Sequence, residues 1–189
     1  MKRVTKAALG GVAGCALVLG ATQWAAGASD LTTLSFARRL IDVQSNSGPF
    51  DGAKAKLQIS ETTTGSTFTI QISGIDPSAA EAGKKFGAHV HTGTCVKRDF
   101  GPPGGMAAGP HYKNDPDPLK PVSRENEVWF DLEPNEDGTA IDETYVPFTV
   151  DPGAEKERAV VIHVKPTDES TGGAGERQAC LPLDYEDLQ

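Results

Sequence analysis

Residues 52–73, GAKAKLQISETTTGSTFTIQIS, decide the fold class. Ala53, Ala55, Leu57 and Ile59 alternate with Lys54, Lys56, Gln58 and Ser60. Beyond the turn-like TTTGS, Phe68, Ile70 and Ile72 alternate with Thr69, Gln71 and Ser73. A period of two places all the apolar side chains on one face of an extended chain, so this stretch predicts a β-hairpin with one face buried. The same period returns at Val128, Phe130 and Leu132, ahead of the turn Asn135-Glu136-Asp137-Gly138. Residues 87–91 read as extended, 159–164 (AVVIHV) as a continuous apolar strand, and 178–183 as a last short strand. Between them lie a loop around Asp76-Pro77, a Gly-, Pro- and Asp-rich stretch over 97–124, and the Gly-rich loop ESTGGAGER. Past the first 30 residues no long helical period survives, and no internal repeat or phosphate-binding glycine motif occurs. Many short strands joined by hairpin turns and two long loops predict an all-β sandwich or barrel.

The chain begins with Lys2, Arg3 and Lys6, continues almost without polar residues from 7 to 21, and reaches the small-x-small site Ala26-Gly27-Ala28. This is the pattern of a secretory signal peptide over 1–28. The apolar run falls short of the roughly 20 residues of a membrane span. Val12-Ala13-Gly14-Cys15 resembles a lipobox, so lipid attachment at Cys15 is one alternative and an uncleaved N-terminal anchor another. Residues 29–50, with one short amphipathic stretch, LSFARRLIDV, read as a linker, and 51–189 as one β-sandwich domain. Removing three basic residues and no acids with the leader takes the net charge from -8 to -11. Such acidity argues against nucleic acid and anionic lipid as partners and leaves the N-terminus as the only route to a membrane. The chain would be a monomer or a homodimer; the sequence does not choose. Without Cys15, two cysteines remain, Cys95 and Cys180, and in an exported protein such a pair reads as a disulfide.

The four histidines are His89, His91, His111 and His163. His89 and His91 stand at i and i+2 on an extended segment, so both rings share one face, about 6.6 Å apart at the α-carbons. His111 ends the long loop in AAGPHY, and His163 lies inside AVVIHV, where an apolar strand would hold its ring. Four imidazoles without a free thiol suit copper or zinc, and copper(II) favours a roughly square-planar nitrogen set.

These residues resemble the copper/zinc superoxide dismutase family. FGAHVHTGTC looks like its H-x-H-x-x-G-x-C signature, with Gly93 shifted within the spacer; AAGPHY is similar to the segment carrying its bridging histidine; and RAVVIHVKPTDESTGGAGERQAC is similar to its C-terminal block. The resemblance runs from about Gly52 to Leu183 and implies an eight-stranded Greek-key sandwich. It also implies copper ligation by His89, His91, His111 and His163, a Cys95–Cys180 disulfide, and Arg177 as the guide for superoxide. By the same analogy His111 leaves the metal in the reduced state and carries a proton.

The pattern departs from the family at the zinc site. No histidines remain for two of its positions, and Val128 stands where one is expected. Asp131 matches the zinc aspartate, and Thr167, or a shifted Asp168, replaces an aspartate expected after the last copper ligand. This resembles the copper-only members, in which zinc is dispensed with. His111 then needs another partner, and among the acids between Asp115 and Asp131, Glu127 is the favoured one. The expected function is a secreted superoxide dismutase; the alternative is a secreted copper-buffering protein on the same fold without turnover.

Overall fold

The computed structural model describes residues 32–44, 47–76, 78, 83–97, 106–150 and 157–184. The expected leader, Cys15 and the acidic tail YEDLQ lie outside the described residues. Nine strands follow in chain order: β1 (Thr32–Arg39), β2 (Ile41–Asp42), β3 (Lys54–Thr62), β4 (Gly65–Ser73), β5 (Phe86–His91), β6 (Trp129–Leu132), β7 (Thr139–Val146), β8 (Ala159–His163) and β9 (Arg177–Pro182). Apart from one 3₁₀ turn, Met106–Ala108, no helix occurs among the described residues.

The predicted hairpin is β3 paired with β4, in a register that sets Leu57 opposite Ile70, Ile59 opposite Phe68 and Thr62 opposite Gly65. It forms the middle of a four-stranded sheet ordered β1-β3-β4-β7; the second sheet is ordered β2-β9-β8-β5-β6, and all pairings are antiparallel. Leu57, Ile59, Phe68 and Ile70 from the first sheet meet Val90, Phe130, Ile162 and Leu181 from the second, all fully excluded from solvent. Each such side chain contributes about 1.5–3 kcal/mol by leaving water. The sandwich is open at one side: β6 and β7 end their respective sheets without a ladder between them, bridged by a bond from the Asp131 N–H to the Asp142 carboxylate (2.7 Å).

One sequence expectation needs correction. Residues 29–50 are not a linker throughout: β1 pairs with β3 along its whole length, and Phe36 is completely buried in the core. One residue, Leu40, separates β1 from the two-residue β2, so the chain passes from the edge of one sheet to the edge of the other. Alternation is present in β1, but Arg38 takes an inward position and reaches Asp184 at the rim (3.1 Å), which disguises the pattern. Val43, just past β2, is 1% exposed and packs with Ala108, Ala159, Val161 and Cys180 on the far face of the second sheet. Val43→Ala should therefore lower stability by about 1–2 kcal/mol in denaturant unfolding. A loss below about 0.3 kcal/mol would mean that this segment adds little to the fold.

Candidate metal centre

On β5, Ala88 and Val90 enter the core, so His89 and His91 project from the opposite face of the second sheet. β8 repeats the division: Val160 and Ile162 face the core, Ala159 and Val161 face outward, and His163 extends the outward row. The register pairs Ala88 with Ile162, which brings His163 to the level of Gly87, one step from His89. Gly87 is required there by close approach: a Cβ on it would lie 2.5 Å from the Thr167 hydroxyl and 2.9 Å from the Thr167 backbone nitrogen. His111 arrives from the long loop, whose end lies antiparallel against β5. The Thr92 N–H donates to the Pro110 carbonyl (3.0 Å), the Tyr112 N–H donates to Val90 (2.8 Å), and His111 bridges to His91.

The four imidazoles thus converge, each offering one nitrogen within 4.8 Å of the others. Their opposite nitrogens are engaged. His91 Nδ1 donates to the Gly109 carbonyl (2.9 Å), His163 Nδ1 to the Gly175 carbonyl (3.0 Å), and His111 Nδ1 to Glu127 Oε2 (2.8 Å). An acceptor at Nδ1 fixes the proton there and leaves the Nε2 lone pair of each ring aimed at the common centre. His89 is turned the other way: Nε2 meets the Thr167 hydroxyl (2.9 Å), and the buried Nδ1 has no hydrogen-bond partner.

Burial, assisted by neighbouring imidazoles, pushes the His89 pKa far below its usual value. Burial also takes His91 down to about 2 and His163 down to about 4, against the opposing bonds from Gly109 and Gly175. At neutral pH these rings carry lone pairs rather than charge. His91 Nε2 and His163 Nε2 then face each other across 3.4 Å with no proton between them. That arrangement, together with the orphaned His89 Nδ1, fits a shared cation. All-nitrogen ligation with neutral imidazoles suits copper.

Glu127 is buried, its side chain 1% exposed, and its Oε2 accepts from both His111 Nδ1 and Trp129 Nε1 (2.8 Å each). Burial pushes its carboxyl up, but the bonds from His111 and Trp129 and the nearby Lys113 outweigh this and hold it below the usual carboxylate range. Arg177 is half-buried; its Nη2 donates to the Gly109 carbonyl (2.6 Å), the same oxygen that orients His91. Cys95 and Cys180 form a disulfide that closes 85 residues of chain.

Asp131 does not join the imidazole group; its carboxylate holds Arg124 Nη2 at 2.7 Å. Val128 is sealed in the core, and Asp168 caps the turn at Ser170 (2.8 Å to its N–H) rather than supporting a histidine. The carbonyls of Gly109 and Gly175 carry no side-chain signature that a sequence could show. Arg124 stands in a polar loop that gives it no distinguishing pattern in the sequence.

Four buried, preorganised imidazoles on one face of an antiparallel sandwich form a group able to hold a metal ion through nitrogen. The family described as copper/zinc superoxide dismutase (SODC) matches residues 53–181, well over half of the chain, and the protein belongs to that family, whose members act on superoxide. A sequence comparison with curated proteins finds no match. The disulfide points to an oxidising, extracytoplasmic setting. No helix among the described residues is long and apolar enough to cross a membrane.

Proposed function

We propose that the protein is an exported superoxide dismutase that works with copper held by His89, His91, His111 and His163, and without zinc. The observation that carries the reading is the set of four inward-facing nitrogens whose ring partners are already engaged. Independence from zinc is supported by two occupied positions: Glu127 takes the outer N–H of His111, and Arg124 takes the carboxylate of Asp131. The leader read over 1–28 supports export.

Copper, when bound, supplies one-electron cycling in which one superoxide is oxidised to dioxygen and a second, with two protons, is reduced to hydrogen peroxide. The chain's own residues do the rest. His89, His91 and His163 are buried and locked by their outer partners, so they hold position with little reorganisation. His111 is the least enclosed ring, its side chain 21% exposed, so its Nε2 is the nitrogen best placed to exchange a proton while Nδ1 stays on Glu127. Arg177 places a fixed positive charge beside His91 and His163, where it attracts an anion that the negative net charge of the protein would repel. Local field in a cleft can override net charge and raise encounter rates by about 10-fold or more.

Metal content and superoxide consumption, measured on one sample loaded with copper, zinc or both, test the proposal. Stoichiometric copper, little zinc and turnover about tenfold lower in Arg177→Ala at unchanged copper content are expected. Tight copper without turnover above the free ion would overturn the enzyme reading and leave a copper carrier. Stoichiometric zinc beside the copper would overturn the zinc-free assignment.

A further inference from the structure

Beyond the four imidazoles, a charged cluster among the described residues centres on Arg124. Its Nη2 donates to Asp131 Oδ2 on β6 (2.7 Å) and to Glu169 Oε1 (2.7 Å), and its Nε reaches both Glu169 oxygens (3.1 and 3.2 Å). The guanidinium carbon also lies 5.3 Å from the centre of the Trp129 ring. Two of these contacts lead to different histidines. Trp129 gives its Nε1–H to the same Glu127 oxygen that holds His111. Glu169 lies two residues from Thr167, whose hydroxyl meets His89 Nε2. The turn after Glu169 is laid on the same surface: a Cβ at Gly172 would come within 2.6 Å of Val122 and 3.1 Å of Trp129.

We propose that Arg124 is a positioning residue: by clamping the 164–176 loop to β6 and lying against Trp129, it keeps the outer supports of His89 and His111 in register with the metal site. This rests on the copper reading above. The planar fork is essential, because one guanidinium serves two carboxylates and a ring face at once, which an ammonium cannot do. Glu169 is 65% exposed, and an exposed pair of this kind adds little to global stability. The consequence of losing it is therefore geometric.

Three variants of the full chain separate the possibilities. Arg124→Met removes charge and fork, Arg124→Lys keeps the charge alone, and Glu169→Gln weakens only the arm to the loop. Copper affinity by chelator competition, the copper(II) EPR spectrum, the melting temperature, and imidazole nitrogen NMR of the metal-free protein are recorded for each. Arg124→Met should weaken copper binding about tenfold, alter the EPR parameters, and replace single His89 and His111 tautomers by mixtures, with little change in melting temperature. Arg124→Lys should recover part of this, and Glu169→Gln should disturb His89 more than His111. Wild-type affinity, EPR and tautomers in Arg124→Met would overturn the proposal. So would a lowered melting temperature with wild-type spectra in the folded fraction, which would make Arg124 a strut of the fold only. If the wild-type protein bound no copper, the reading under Proposed function would fail, while the metal-free tautomers would still decide the role of Arg124.

Discussion

Replacing Cys95 and Cys180 with serine is expected to cost about 4.5 kcal/mol of stability, the loop-closure value for a crosslink spanning 85 residues. For a chain of this size that corresponds to a fall of about 10 °C in melting temperature. The effect should reach the metal site because of where the bridge is placed. Cys180 is fully buried on β9 beside Val43, Ala159 and Val161. Cys95 leaves β5 just beyond His91, and its segment pairs with the end of the long loop: the Gly93 N–H donates to Ala108 (2.8 Å) and the Thr94 N–H to Ala107 (3.1 Å). The next residue in that loop is Gly109, whose carbonyl orients both His91 and Arg177. Reduction should therefore loosen the hold on His91 as well as lower the melting point. Thermal unfolding of the copper-free protein, with and without reductant, is the cleanest measurement, because bound metal would add its own stabilisation. A fall of less than about 3 °C would show that the unfolded chain gains little freedom from cutting the bridge.

Glu127 should be the second position of large effect. Glu127→Gln keeps an oxygen that can accept from His111 and Trp129 but removes the charge and turns an amide toward Lys113, whose ammonium lies 3.8 Å from Oε1. Outer partners of metal-bound imidazoles are worth about 10–100-fold in affinity, so copper binding should weaken about tenfold in Glu127→Gln and about a hundredfold in Glu127→Leu. The leucine variant also strands the buried Trp129 N–H, which adds about 1–3 kcal/mol of destabilisation. Competition with a chelator of known affinity reads the first effect and denaturant unfolding the second. Full copper affinity in Glu127→Leu would mean that the carboxylate does not orient His111.

Much of this was legible in the sequence, for reasons that differ from element to element. The β3–β4 hairpin was readable because alternation is a local property and both strands have one buried and one wet face. β7 was not assigned, since Asp142 and Glu143 interrupt its apolar pattern; the Asp142 carboxylate is turned to the Asp131 N–H, a contact across sheets that no local rule anticipates. β1 reads as linker because it is an edge strand with an arginine at an inward position, paired with an aspartate 146 residues away.

The sequence by itself determined the all-β class, the four histidines as a set and the two cysteines as a pair. These follow from periodicity, from residue chemistry and from blocks shared with a family. Only the tertiary structure decided which nitrogen of each ring faces the centre. That choice is made by two backbone carbonyls, a threonine hydroxyl and a glutamate brought in from other parts of the chain. It also decided that the Asp131 carboxylate meets Arg124. Hydrogen-bond direction depends on distance and angle between groups far apart in sequence, and those are fixed only when the sheets close around them.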